Sequence, residues 1–219
     1  MTKSKARATK PAARKSTVRR PQAGLDKIAV ALFDIGAVKF GEFHLKSGLL
    51  SPIYIDLRLL VSHPKLLAQV ARHMAAMAKK IRFDRLAAIP YAALPIGVVV
   101  SLALDKPMIY PRKEAKDYGT GRQIECLYLE GDTILLIDDL ITKGHSKVET
   151  IAPLVAAGLK VSDILVLIDR EQGGAEELAR LGCRLHAVLT LTQLLDTLVR
   201  RKKVTPEKRR EVLEWIQRN

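Results

Sequence analysis

From residue 86 onward the chain alternates unbroken aliphatic runs with segments in which apolar residues recur every three or four positions. Leu86–Ile89 precedes a helical pattern near Leu94–Leu104, Ile134–Ile137 precedes one that begins after Ser146, and Ile164–Ile168 precedes Ala175–Leu181. Short aliphatic runs without polar alternation read as strands buried on both faces, and the helices between them provide the crossovers that parallel neighbours require. The repetition predicts an α/β fold, a twisted and mostly parallel sheet flanked by helices. Upstream, Leu66, Leu67, Val70, Met74, Met77 and Ile81 keep helical spacing behind Ser62-His63-Pro64, a cap and first turn. Thr205-Pro206 opens a last helix whose Val212, Trp215 and Ile216 share one face. Pro153 is expected to kink the helix after Ser146 or to delay its start. Between Pro107 and Glu130 two strand-like pieces, MIYPR and QIECLYL, flank KEAKDYGTG, which predicts a hairpin with a long mobile tip.

Composition changes this picture in three places. The 219 residues, 48% hydrophobic but only 5% aromatic, suit one main aliphatic domain. The net charge of +14 is concentrated at the ends. Residues 1–22 carry eight Lys/Arg and no acid, and residues 200–219 carry eight bases against three acids, so the body between them is almost neutral. Rich in Ala, Ser, Thr and Pro, the first stretch is expected to be a disordered basic tail (residues 1–23) ahead of a domain at 24–219. A solvated tail is favoured over a nucleic-acid arm or a transit peptide, although the basic ends keep open an alternative, a regulator that binds nucleic acid. Finally, Cys126 and Cys183 stand far apart without metal-ligand spacing, and no apolar leader segment is present, so a reduced, cytoplasmic setting is expected. The charge-free stretch Leu86–Leu104 is long enough to cross a bilayer but is broken by Pro90, Pro95 and Gly97 into strand, turn and helix.

The candidate chemistry lies in TILLIDDLITKGHSKVET, residues 133–150. An aliphatic strand in a parallel sheet delivers the residues after it to the sheet's carboxyl edge, where open α/β sheets bind ligands. Asp138 and Asp139 therefore reach a site. The stretch Leu140, Ile141, Thr142, Lys143, Gly144, His145 and Ser146 then forms a short loop into a helix, with N–H groups and hydroxyls able to converge on a phosphate. Neither GxxxxGK[ST] nor GxGxxG occurs, which excludes a Walker loop and a dinucleotide fingerprint. Two adjacent carboxylates suit two neighbouring hydroxyls, so the stretch fits a sugar diol beside a phosphate, as in ribose 5-phosphate. The plain competing reading is an acidic strand end before an ordinary helix capped by Thr142 or Ser146.

LIDDLITKGHS resembles the phosphoribosyl pyrophosphate motif of type I phosphoribosyltransferases. FGEFHLKSGLLSPIYIDLR (40–58), PYAALPIG (90–97), YPRKEAKDYGTG (110–121) and LIDREQGG (167–174) narrow the resemblance to the orotate phosphoribosyltransferase family, particularly the form fused to a decarboxylase, over roughly residues 25–219. The resemblance implies the type I fold with a flexible hairpin loop and a small N-terminal hood. It also implies transfer of a phosphoribosyl group from phosphoribosyl pyrophosphate to orotate, with Mg²⁺ bound mainly through the substrate's pyrophosphate. Asp138 and Asp139 would meet the ribose hydroxyls, Thr142 to Ser146 would surround the 5′-phosphate, and His145 takes the motif's variable position. Arg112, Lys113 and Lys116, with Tyr118 beside them, would close over the pyrophosphate, and loop 110–122 would complete the neighbouring site of a homodimer. Lys46 and Arg170 match residues at orotate and the reacting centre, and Tyr91 matches a substrate-site turn. Lys46, Lys116, Asp138 and Asp139 are the catalytic candidates by this resemblance. Many bacterial members carry His at the position of Tyr118 and Lys at that of Ala92, so a histidine acid in the loop is not implied here.

Overall fold

The structure is a computed structural model that describes residues 20–44, 48–112 and 123–219. In chain order the elements are α1 (Arg20–Asp34), β1 (Val38–His44), β2 (Leu50–Ile55), a 3₁₀ turn (Leu57–Ser62), α2 (Pro64–Ala78), β3 (Arg85–Ala88), α3 (Ala93–Leu104), β4 (Met108–Pro111) and β5 (Ile124–Glu125). Then come β6 (Thr133–Ile141), α4 (His145–Ala156), β7 (Lys160–Asp169), α5 (Gly174–Arg180), β8 (Arg184–Thr190), α6 (Leu191–Arg200) and α7 (Pro206–Arg218).

Six strands form one sheet in the order β5-β4-β3-β6-β7-β8, parallel throughout except for the antiparallel β4–β5 pair. Successive side chains along a strand point to opposite faces, and the core divides accordingly. Leu135, Ile137, Leu165 and Leu167 join the buried residues of α1, α2, α3, α6 and α7 on one face. On the other, Ile134, Leu136, Ile164 and Val166 meet Ile151 and Leu154 of α4 and Leu178 of α5. Each fully buried aliphatic side chain contributes about 1.5–3 kcal/mol, which explains why these strands carry no polar alternation. The antiparallel pair β1–β2, in contact with α1 and α7, makes the small hood.

Chain order reverses between β3 and β6. From β3 the chain crosses through α3 to β4 on one side, while β6 proceeds through α4 to β7 on the other and over the opposite face. That switch leaves a crevice at the carboxyl ends of β3 and β6, the place where such sheets bind ligands.

Several expectations need adjustment. Pro153 neither delays α4 nor ends it at once: the helix runs from His145 to Ala156 with the proline inside. The proline lies near the helix's end, where Ala157 N–H still bonds to its carbonyl, so little ladder remains to be lost. QIECLYL is strand only at Ile124–Glu125, because Cys126 adopts φ 77° and turns the chain away. Ser62-His63-Pro64 does open α2 with the proline in its first turn, but His63 gives no side-chain cap bond, and Ile81 falls beyond the helix end. α1 begins at Arg20, inside the stretch assigned to the tail; residues 1–19 and the hairpin tip at 113–122 lie outside the described residues. The uncharged stretch from Leu86 is β3, a turn and α3, with Pro95 in the helix's first turn where no N–H is needed. Among the described residues no helix is long and apolar enough to cross a membrane, and both cysteines are free thiols.

Candidate active site

β6 extends beyond its aliphatic run and includes Asp138 and Asp139, with Asp138 opposite Val166 and Ile141 opposite Asp169 of β7. The two carboxylates therefore sit on a hydrogen-bonded strand rather than on a loop. Asp138 is only 5% exposed. Its Oδ1 accepts the N–H of Asp139 at 2.8 Å, and its Oδ2 forms an ion pair with the Lys147 ammonium. Asp139 is less enclosed, and its Oδ1 accepts the N–H of Leu140 at 2.9 Å. Desolvation, reinforced by the charge of Asp138 and a hydrogen bond with it, pushes the Asp139 carboxyl up to about 7, against the pull of the Leu140 N–H and the Lys147 charge.

Behind the carboxylates the chain turns through Thr142 and Lys143 to Gly144, the N-cap of α4. Gly144 has φ 87°, a left-handed backbone that an L side chain adopts only with strain, and it supplies no side-chain cap. Neither Thr142 nor Ser146 is the cap, which corrects the expectation for an ordinary capped helix. The first-turn N–H groups of His145 and Ser146 have no intrahelical acceptor, as at any helix start, and here no cap oxygen takes one. With the exposed Lys143, His145 and Ser146 around them, these donors form a short cationic rim suited to an anion. Gly174, opening α5, lets that helix close on the loop: a Cβ there would collide with the Thr142 carbonyl and lie 2.6 Å from Ile141 Cγ1. The last residue of DREQGG thus has a packing reason, and Gly173 before it a conformational one, its φ of 86°.

Arg170 enters from the end of β7, its N–H bonded to the Ile141 carbonyl at 2.9 Å, which sets it beside the carboxyl end of β6. Its side chain is buried, and Nε and Nη2 have no hydrogen-bond partner; Gln172 Oε1, two residues on, has none either. Burial works against the charged guanidinium. A buried cation with two unmatched donors is costly unless an anion arrives to meet them.

Tyr91 and Arg112 come together elsewhere on the same edge. With Pro90, Leu94, Tyr110, Pro111 and Glu125 they line a cavity of about 220 Å³. Arg112 pairs there with Glu125 at 2.7 Å. Lys46, Lys113, Lys116 and Tyr118 lie outside the described residues. The structure thus assembles Asp138 to Ser146 with Arg170, and separately Tyr91 with Arg112.

Sequence reasoning passed over Lys147. Lys147, Ile151 and Leu154 are the buried residues of α4, so a lysine occupies the helix's inward stripe at helical spacing. That misfit in an otherwise aliphatic stripe was the available signal.

Comparison with known proteins accords with this geometry. No family model matches the chain. It is 46% identical over 197 residues to the uridine 5′-monophosphate synthase of Bos taurus, a match that covers 89% of the chain and 41% of the relative. To the orotate phosphoribosyltransferase of Caenorhabditis elegans it is 39% identical over 187 residues, covering 84% of the chain and 82% of the relative. Among solved structures, the UMP synthase of Leishmania donovani superposes with a TM-score of 0.83 at 41% identity, covering 90% of this chain and 43% of that one. The chain therefore spans less than half the length of the two synthases and most of the length of the single-activity relative.

Proposed function

The chain belongs to the orotate phosphoribosyltransferase family, glycosyl-transferring enzymes of pyrimidine biosynthesis, and from that premise we propose how its own residues perform the transfer. The substrates are phosphoribosyl pyrophosphate and orotate. The C1′–oxygen bond to pyrophosphate breaks, with the electron pair leaving on the pyrophosphate; C1′ bonds to N1 of orotate, which gives up its proton, and orotidine 5′-monophosphate results. One observation carries the reading: Arg170 is buried beside the paired carboxylates with two unmatched guanidinium donors, and orotate, unlike the uncharged bases, brings a carboxylate able to engage such a fork.

As the bond breaks, positive charge develops on the ribose ring and negative charge on the departing group. The Asp138–Asp139 pair lies at the ring hydroxyls, and Thr142 to Ser146 hold the 5′-phosphate at the start of α4. Arg112, Lys113 and Lys116 act on the leaving pyrophosphate, where preorganised cations contribute most as its charge grows. By the same reading Lys46 acts at the reacting centre, Tyr91 in the substrate-site turn, and Tyr118 with the loop that would close. Closure of loop 110–122 keeps out water that would hydrolyse the sugar.

Magnesium would be held mainly through the pyrophosphate and water, and would neutralise charge on that group. No cluster of three or more His, Cys, Asp or Glu among the described residues would hold a metal by itself, so the ion's ligands would come from the pyrophosphate and water. A homodimer with loop 110–122 shared between sites is part of the same reading. Its support is the exposed apolar surface at Leu102 (77%), Leu127 (82%) and Leu129 (67%), on α3 and just beyond β5. A cytoplasmic location accords with these soluble substrates.

The test is the spectrophotometric loss of orotate with phosphoribosyl pyrophosphate and Mg²⁺. Lys116→Ala should lower turnover about 10²–10³-fold, the usual cost of one preorganised donor. Full activity in that variant would remove the loop from the mechanism.

A further inference from the structure

Lys147 stands where physical chemistry disfavours a cation. It lies in the first turn of α4, at the positive end of the helix dipole, and it is 5% exposed. Compensation comes from three acceptors: the Leu140 carbonyl at 2.7 Å, Ser146 Oγ at 3.4 Å and the Asp138 carboxylate. An ammonium has three hydrogens, so its donor capacity is used up, and the side chain ties the end of β6 to the start of the phosphate loop. Each Asp138 oxygen already has a protein partner, Oδ2 the Lys147 ammonium and Oδ1 the Asp139 N–H.

We propose that Lys147 is a positioning residue of the sugar site: by clamping Asp138 and the Leu140 carbonyl it fixes the strand end so that Asp139 is the carboxylate presented to the ribose hydroxyls. The inference rests on the sugar-site reading above. It divides the acidic pair into a structural member and a binding member, and it joins the diol subsite to the phosphate subsite through one side chain, since Ser146 belongs to the phosphate loop and Leu140 to the strand. The groups facing Asp139 are Asp138, Lys147 and the Leu140 N–H. Loss of the Lys147 charge therefore favours the protonated Asp139.

Calorimetric binding of phosphoribosyl pyrophosphate to the full chain, wild type against Lys147→Met and Lys147→Arg, tests this, with orotate KM measured alongside. Lys147→Met should weaken sugar binding about 10²-fold, the scale of a misplaced binding group, with orotate KM within twofold. Its carboxyl titration, followed by ¹³C NMR of labelled aspartate, should move Asp139 to higher pH. Lys147→Arg, which keeps the charge but not the three-acceptor fit, should keep the wild-type titration and lose about 10-fold in binding. Should Lys147→Met fail to fold, the arginine variant decides alone: binding within twofold of wild type overturns the proposal. A folded Lys147→Met with wild-type sugar binding and an unmoved Asp139 also overturns it while leaving the proposed function intact. Wild-type protein that binds no phosphoribosyl pyrophosphate would bring down the sugar-site reading and this inference together.

Discussion

Replacing Asp139 by Asn should separate stability from activity in opposite directions. In the folded chain the Asp139 carboxyl is pushed up to about 7 from an ordinary 3.8, desolvation being the chief cause and Asp138 the next. A carboxyl raised on folding binds its proton more tightly in the native state than in the unfolded chain. Between about pH 4 and pH 7 the native state therefore carries the extra proton, and stability falls as pH rises through that window. Roughly three pH units at about 1.4 kcal/mol each give a destabilisation of about 4 kcal/mol, fully present above pH 7 and absent below pH 4. Asp139→Asn removes the titration. Urea or thermal denaturation of both proteins from pH 4.5 to pH 8 should show stabilities within about 1 kcal/mol of each other at the acid end. The variant should gain steadily to about 2–4 kcal/mol at pH 8, the lower figure allowing for the buried amide. At about 2–4 °C per kcal/mol for a domain of this size, the melting temperature should rise by roughly 4–16 °C at pH 8. Orotate turnover should meanwhile collapse, since the carboxylate's charge and one of its two acceptor oxygens are replaced by an NH₂ donor. A stability difference that stays flat with pH would refute the argument, because a lost packing contact has no reason to follow a proton.

Two further substitutions probe the neighbouring features. Arg170→Met removes a buried cation whose Nε and Nη2 have no partner, so the ligand-free protein should melt at the same or a higher temperature while orotate binding weakens by more than about 10²-fold; calorimetry on the variant measures both. Gly174→Ala places a methyl against the Thr142 carbonyl and Ile141, and it should cost about 1–3 kcal/mol in urea unfolding and weaken inorganic phosphate binding by displacing the loop.

The periodicity of the chain was enough to show a parallel α/β sheet. Aliphatic runs at 134–137 and 164–168 admit few alternatives to strands buried on both faces, and both lie inside observed strands. The last helix was equally legible, because Thr205 caps it by accepting the Lys208 N–H, a local signal independent of the fold. β8 was harder to see: RLHAVLT has mixed polarity and makes a strand because β7 is beside it, with Asp163 opposite Arg184. The β1–β2 pair and α6 carry local signals instead, two strands adjacent in sequence and the Thr190–Gln193 capping box.

At the site, the order of acids, hydroxyls and glycine in residues 138–146 pointed to a sugar and phosphate chemistry, because those groups are adjacent along the chain and come together at the end of β6. Long-range packing decided the rest. Only the meeting of β6, β7 and α4 turns Asp138 inward onto Lys147, leaves Asp139 with a proton near neutrality, and buries Arg170 with unmatched donors. Desolvation is a property of the surroundings and not of the residue, so a sequence can say which groups are present but not which of two adjacent carboxylates will be locked in an ion pair and which will be offered to a ligand.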